Sequence, residues 1–353
     1  MQLKTIEFAE HESAIREIAF SPDGSFATSS DDHTVRIWNP RESGSSRCLR
    51  GHTGYTSGLA FNPHGTILAS SSPHEVILTA ISTGEEIARL PVCTAIGQAL
   101  NLLTFNGNGS KLAGAITVDG ECDGWITLWD LTTGHELLGR RIAEHIQGIS
   151  FCIDDKLVAD TYEASENIRM YRQRSFSPDE CAICLEITNA RGGGTPYRSP
   201  TGHLLALGKS CYGSSVEMFD LRNRTALYNL KPRAGSQPSL SFSPDGSLFA
   251  WGNSFPLAKS NDCRITLHDA HTGEQIRELD GIGSAHSCSF SPDARLLCAV
   301  SILERGAWFW DLPSGQLVAR APHHQYFGFF SPDSRWFVSA QSVIHVTELP
   351  RMD

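Results

Sequence analysis

The sequence predicts an all-β fold, a single closed β-propeller of four-stranded antiparallel blades, from three observations. Eight apolar stretches each end in an aromatic that opens a turn of the Ser-Pro-Asp-Gly kind. These aromatics are Phe20, Phe61, Phe105, Phe151, Tyr197, Phe242, Phe290 and Phe330, at steps of 41, 44, 46, 46, 45, 48 and 40 residues. A fixed period of this size is that of a blade of four short strands. The 353 residues therefore hold eight units in one domain spanning 1–353. Seven blades is the alternative, the ambiguity falling between units four and five.

Unit one shows the reasons for each element. Residues 11–20 end in a strand with Ile18 and Phe20 on one face by period-2 alternation. Ser21-Pro22-Asp23-Gly24 is a turn, in which Pro presets φ, Asp can bond its own backbone and Gly tolerates positive φ. Ser25–Ser30 forms the second strand, Asp31-Asp32-His33 turns it, and Thr34–Trp38 forms the third. A fourth, near Ser46–Arg50, leads to Gly51-His52. Later units repeat the third strand and its turn as ITLWDLTTGHEL, ITLHDAHTGEQI and AWFWDLPSGQLV, with Gly84, Gly134, Gly273 and Gly315 supplying hairpin chemistry.

Only 23 residues follow Phe330, enough for strands at Arg335–Ala340 and Ser342–Glu348 but not for a fourth. Gln2–Phe8 alternates like a strand and has no blade of its own. Pairing it into the last blade closes the ring and leaves no unfinished edge. Phe176-Ser-Pro-Asp179 copies the turn motif only 25 residues after Phe151, too soon for another blade, and reads as the connection to a fourth strand at Cys181–Ile187.

Composition narrows the function classes. Asp and Glu number 39 against 29 Lys and Arg, a net charge of −10, which argues against nucleic acid as the partner. The N-terminus lacks the apolar core of a signal peptide and no stretch is long enough to span a membrane. With ten cysteines lying mostly in apolar strand patterns, the expectation is a cytoplasmic protein with free thiols.

The series Gly-His … Ser-Pro-Asp-Gly … Ser-x-Asp-x-Thr-Val-Arg-Ile-Trp resembles the WD-repeat (WD40) β-propeller family over essentially the whole chain. The resemblance implies a hydrogen-bonded His, Ser/Thr, Asp and Trp in each blade, matched throughout only in unit one by His11, Ser30, Asp32 and Trp38. Unit two keeps His52 but has Pro73 and Thr79 in place of Asp and Trp. Unit three keeps Asp123 and Trp129, unit six Asp262 with His268 for the Trp, and unit seven Trp310 with Glu304.

The resemblance also implies a non-catalytic scaffold, with no cofactor, that binds a protein or peptide on the narrow face around the channel mouth, as a monomeric propeller within a complex. The positions six and four residues before each signature aromatic belong to that face. Their polar or aromatic occupants are Arg16, Tyr55, Ser57, Asn101, His145, Gln147, Arg191, His286, His324 and Tyr326. Arg16, Tyr55, Arg191 and Tyr326 are of the types that dominate binding hot spots.

Catalytic readings of the same residues are weaker. His11, Ser30 and Asp32 suggest a nucleophilic triad, yet the Ser lies in a strand without a nucleophile elbow. Cys181 and Cys184 stand at an odd offset that points them to opposite strand faces, and Gly192–Gly194 lacks the Lys and Ser/Thr of a phosphate loop. Asp154-Asp155 and Glu85-Glu86 are solvated turn charges, and the adjacent His323 and His324 point apart. The alternative function is a hydrolase or oxidoreductase in which His145, His286 and His324 converge at the channel mouth, where three histidines could ligate a metal.

Overall fold

The computed structural model of the chain describes residues 3–42, 46–92, 98–116, 124–151, 155–164, 169–176, 181–189, 194–209, 215–231, 238–253, 265–282, 285–301, 303–324 and 328–350. Among these residues run 32 strands, grouped as eight four-stranded antiparallel sheets, an eight-bladed β-propeller. The chain divides into two compact units, Ala9–Ala190 and Met1–Phe8 with Arg191–Asp353.

β1 (Thr5–Phe8) belongs to the second of these. Residues 9–190 hold four blades. Blade one is β2 (Ile15–Phe20), β3 (Phe26–Ser30), β4 (Val35–Trp38) and β5 (Ser46–Leu49). Blade two is β6 (Leu59–Phe61), β7 (Ile67–Ser72), β8 (Glu75–Ala80) and β9 (Glu86–Pro91). Blade three is β10 (Leu102–Phe105), β11 (Lys111–Ile116), β12 (Gly124–Asp130) and β13 (His135–Ile142). Blade four is β14 (His145–Phe151), β15 (Leu157–Ala164), β16 (Arg169–Phe176) and β17 (Cys181–Asn189).

The other unit contains blade five, β18 (Gly194–Arg198), β19 (Leu204–Lys209), β20 (Ser215–Asp220) and β21 (Thr225–Leu230). Blade six is β22 (Pro238–Phe242), β23 (Leu248–Asn253), β24 (Ile265–Asp269) and β25 (Gln275–Leu279). Blade seven is β26 (Ser287–Phe290), β27 (Leu296–Ser301), β28 (Gly306–Asp311) and β29 (Leu317–Pro322). Blade eight is β30 (Gly328–Phe330), β31 (Trp336–Ala340) and β32 (Ile344–Glu348), completed by β1, which pairs antiparallel to β32 from Thr5↔Thr347 to Phe8↔Ile344.

In blades two, six, seven and eight the turn after the first strand is built by one buried residue. Ser243, Ser291 and Ser331 each accept the N–H of the residue five positions on, at 2.9 Å, and donate to an Asp two positions on. Asn62 does the same work with its amide oxygen, accepting from Thr66 and Ile67. The turn then needs a left-handed residue, and finds Gly24, Gly65, Gly109, Gly202 and Gly246, but Asp155, Ala294 and Ser334 in the other three blades.

That alignment corrects the phase of blade five. Ser199 is the buried turn residue and Gly202 the left-handed one, so Arg198, paired with Leu205, occupies the signature position. Tyr197 is one residue early and pairs with Ala206. Because strand side chains alternate, a slip of one residue changes the face, and Arg191, placed by counting back from Tyr197, loses its basis. It lies outside the described residues. Phe176 closes the third strand of blade four opposite Leu157, buried at the position of Trp38 in blade one. Its apparent turn, 177–179, lies outside the described residues.

A second regularity joins the blades. Gly84, Gly134, Arg224, Gly273 and Gly315 take positive φ after the third strand. Three residues later the fourth strand bulges, and the register with the third strand skips Ile87, Leu137, Leu227, Ile276 and Val318. Just beyond the bulge, Tyr228 donates to the Ala270 carbonyl at 2.7 Å and Arg277 to those of Leu312 and Pro313, each in the next blade.

The core lies between neighbouring blades. Ala69, Val76 and Leu78 of blade two pack against Leu112, Ile116 and Trp129 of blade three. In the other unit, Ala250, Ile265 and Leu267 of blade six meet Leu297, Trp308 and Trp310 of blade seven. A sheet apolar on both faces can bury them only by stacking on its neighbours, so each blade depends on the next.

Candidate functional site

The chemistry-bearing residues fall into buried networks within blades and a more exposed row at the starts of first strands. In blade one, His11 Nδ1 meets Asp32 Oδ2 at 2.8 Å and Nε2 meets Thr28 Oγ1 at 2.7 Å. Trp38 Nε1 donates to the same Thr28 oxygen at 2.8 Å. The hydroxyl of the network is thus Thr28, and the expectation of Ser30 is corrected. Thr28 stands two residues past Phe26, the cross-strand partner of Phe20, whereas the Ser30 hydroxyl donates to Ser13 O at 3.3 Å and accepts from Asp32 N. Burial alone would raise the Asp32 pKa, but hydrogen bonds from Thr34, His11 and the backbone hold it well below the usual range. Burial lowers that of His11.

Other blades rebuild the network with different residues. His52 bonds Ser70, and the carboxylate at Pro73 that was missing from the sequence is supplied by Glu75, 3.6 Å from His52 Nδ1. Burial pushes His52 down to about 4. In blade four Glu144 replaces the histidine. Its buried carboxylate accepts from Thr161, from Arg172 and, at 2.6 and 2.9 Å, from Arg174. Burial acts to raise its pKa, but those donors hold it at about 2. In blade six His268 stacks on Phe249 and bonds Thr266 and Gly273 O. Trp310 of blade seven donates to Asp280 O. Asp123 and Asp262 lie outside the described residues.

His324 is a second correction. It is fully buried, with Nδ1 on Ser339 and Nε2 on Thr347, both at 2.8 Å. It belongs to the interior of blade eight rather than to a partner-binding face, and neither ring nitrogen remains for a metal. Among the described residues no group of three or more His, Cys, Asp and Glu is placed to hold one.

In residues 9–190 this row is Arg16, Tyr55, Ser57, Asn101, His145 and Gln147, at or just before the first strands of blades one to four, with Arg16 and Gln147 exposed and the others half-buried. Arg16 is 54% exposed and held bidentate by Asp31, with both bonds at 2.7 Å, which also raises its pKa. Tyr55 is half-buried, and its hydroxyl accepts the Ala99 N–H at 3.3 Å. Beside it, Thr56 is stitched to blade one through Ser30 O and Ser30 N, and the Ser57 carbonyl accepts from Ser29. Asn101 and His145 are half-buried and Gln147 is exposed. In the other unit His286 is half-buried, its backbone N–H on Val300 O, and burial lowers its pKa. Tyr326 lies outside the described residues.

Sequence reasoning missed Glu17. Its carboxyl accepts the Leu59 N–H of the next blade at 2.7 Å, and burial pushes it up to about 8, so it is neutral at pH 7. The available signal was a single acid inside a first strand, where the corresponding residue of blade two is Gly58.

Comparison with known proteins agrees with this architecture. The WD domain, G-beta repeat family model matches residues 2–39 and 44–76. The chain is 21% identical over 302 residues to THO complex subunit 3 of Arabidopsis thaliana, covering 84% of this chain and 89% of that protein. It is 26% identical over 132 residues to nuclear distribution protein PAC1 of Arthroderma otae, 35% of this chain but only 28% of PAC1. The crystal structure of Saccharomyces cerevisiae Sqt1 superposes with a TM-score of 0.72 at 16% identity, over 99% of this chain and 100% of that one, a likeness of fold alone. The repeat motifs, the eight four-stranded sheets and these matches agree: residues 2–76 carry WD-repeat (WD40) sequence, and the chain as a whole is similar in fold to the WD-repeat β-propellers.

Proposed function

We propose that this chain is a non-catalytic scaffold that binds a protein or peptide partner, and that the row from Arg16 to Gln147 is part of the contact surface. The observation that carries this reading is Arg16, half-exposed yet fixed by two 2.7 Å bonds to Asp31. A pre-organised guanidinium loses little freedom on binding and still presents N–H groups to a partner. Tyr55, held through Ala99 and next to the stitched Thr56, adds a rigid aromatic. One relative carries the words complex subunit in its name, which supports an assembly role here.

The enzyme reading is disfavoured by access. Of the hydroxyls bonded to histidine, those on Thr28, Ser70, Ser339 and Thr347 are buried, where a substrate cannot reach them. Nucleic acid is disfavoured by charge. Residues 9–190, which hold the row, contain 24 of the 39 acidic residues and 13 of the 29 basic ones, the reverse of a phosphate-binding surface. A cytoplasmic location is proposed with it. The test is affinity purification from the native cell with partner identification, then titration of the purified partner against wild type and Arg16→Ala. Unchanged affinity for Arg16→Ala would remove this surface from the reading.

A further inference from the structure

Blade eight contains three histidines around the strand that completes it. Glu7 of β1 is the cross-strand partner of His345 of β32, with Oε1 3.6 Å from Nδ1. That Nδ1 is buried and has no hydrogen-bond partner. The exposed His323 stacks on His345 with ring centroids 6.0 Å apart, and the buried His324 lies 6.0 Å from the same ring.

Beneath them runs a directional relay. The Thr5 hydroxyl donates to Pro322 O at 3.3 Å, so at its 2.9 Å contact with Thr347 it must accept. Thr347, having donated to Thr5, accepts from His324, which fixes Nε2–H as the donor and leaves Nδ1 to accept from Ser339. This chain of bonds links β31, the 322–324 segment, β32 and β1. Beyond it β1 has four residue pairs, all with β32, besides the buried Phe8 and Leu3, whose N–H bonds Arg320 O.

We propose that this cluster is an acid-released latch: protonation of the imidazoles grouped around His345 frees β1 from β32 while blades five to seven stay folded. The charge count favours release, because His323 and His324 both lie against His345, the imidazole that meets Glu7. The other charged groups on the surrounding elements are Glu304 and Arg305 of the blade-seven turn, whose Arg305 carbonyl accepts from His323 N, Arg320, stacked on Trp308, Lys4 beside β1, and Glu348, paired with Arg335 at the far end of β32. β30 and β31 contribute none. Burial, reinforced by His345 and His323, pushes His324 down to about 3, and burial also lowers His345. The attached strand therefore resists protons that a released one takes up, so acid favours release. Departure of β1 would hydrate this end of the blade and bare the edge of β32, a template for an added strand.

Hydrogen exchange of the full chain at pH 7.5 and 5.5, corrected for intrinsic rate, tests the latch. At pH 5.5 peptides covering 3–8 and 344–348 should exchange at least about tenfold faster, with 248–253 of blade six unchanged. His345→Gln should reduce that pH dependence, leaving the part carried by the buried His324. Glu7→Gln, at a 55% exposed side chain and so little risk to folding, should move release to higher pH by removing the carboxylate in contact with His345. Equal protection of β1 at both pH values, loss of blade six together with β1, or an unchanged release pH in Glu7→Gln would each overturn the proposal.

Discussion

The hydroxyl of Thr28 accepts the indole N–H of Trp38 at 2.8 Å. It joins the third strand of blade one to the second, and with the His11 ring on the same oxygen it carries the network back to the chain entering the blade. Thr28→Val keeps the shape and removes the oxygen that the His11 ring and the Trp38 indole share, so it should destabilise by about 1–3 kcal/mol in denaturant melts. Ser30→Ala, outside this network, should cost less, about 0.5–1 kcal/mol. The reverse order would mean that Ser30 is the network hydroxyl after all.

Ala294 sits at φ 56, where five of the equivalent turns have glycine. A left-handed alanine costs about 1–2 kcal/mol, and glycine gives back about 0.4–1 kcal/mol through the freedom of the unfolded chain. Ala294→Gly should therefore stabilise by roughly 0.5–1 kcal/mol, read as a higher denaturation midpoint at constant slope. A lower midpoint would show that the turn is not strained.

Glu144 holds two guanidinium groups and a threonine hydroxyl inside blade four. Glu144→Ala removes the buried carboxylate that both arginines and the Thr161 hydroxyl contact and should cost about 3–5 kcal/mol, the usual penalty for breaking one side of a buried pair. A loss under about 1 kcal/mol in the same melts would place the network in solvent.

Stability should rise from pH 4 to about 6.5 and then decline slightly to pH 8. Burial lowers His52 to about 4 and His324 to about 3, with His11, His268 and His345 also lowered. Below about 6.5 the unfolded chain binds protons these folded histidines refuse, so acid favours unfolding. Glu17 acts oppositely, because its folded value near 8 makes the native state hold the extra proton above about 4.3. Melting temperature measured from pH 4 to 9 should trace this shape, and Glu17→Gln should flatten the decline above pH 6.5. A profile that falls steadily from pH 4 upward would contradict it.

Binding of the native partner should weaken by at least about 1–2 kcal/mol in Arg16→Ala or Tyr55→Ala. Tyr55→Ala also loses the bond to Ala99, so about 1 kcal/mol of stability should go with it. Arg222→Ala, at the turn beyond β20 where Asp220 accepts its backbone N–H, should bind normally. Calorimetric titration that finds only the Arg222 variant impaired would move the partner to another surface.

The 44-residue period, the Phe–Ser-Pro-Asp-Gly turns and the unpaired N-terminal strand were enough to read eight blades and the pairing of β1 with β32. These are local signals, because a strand's alternation and a turn's φ demands are met by residues close in sequence. Where the local signal eroded the reading slipped: Tyr197 carried the aromatic of blade five, yet Ser199 and Gly202 set the turn that fixes its phase. The identity of the network members was decided elsewhere. Thr28 rather than Ser30, Glu75 in place of Pro73, Glu144 with Arg172 and Arg174, and the burial of His324 all depend on where side chains of different strands meet. Hydrogen-bond partners are chosen by distance and desolvation after the sheets have stacked, and sequence spacing encodes neither. So the sequence by itself determined the repeat and how it closes, while only the packed structure decided which polar residues are committed to the interior and which, like Arg16, are left at the surface.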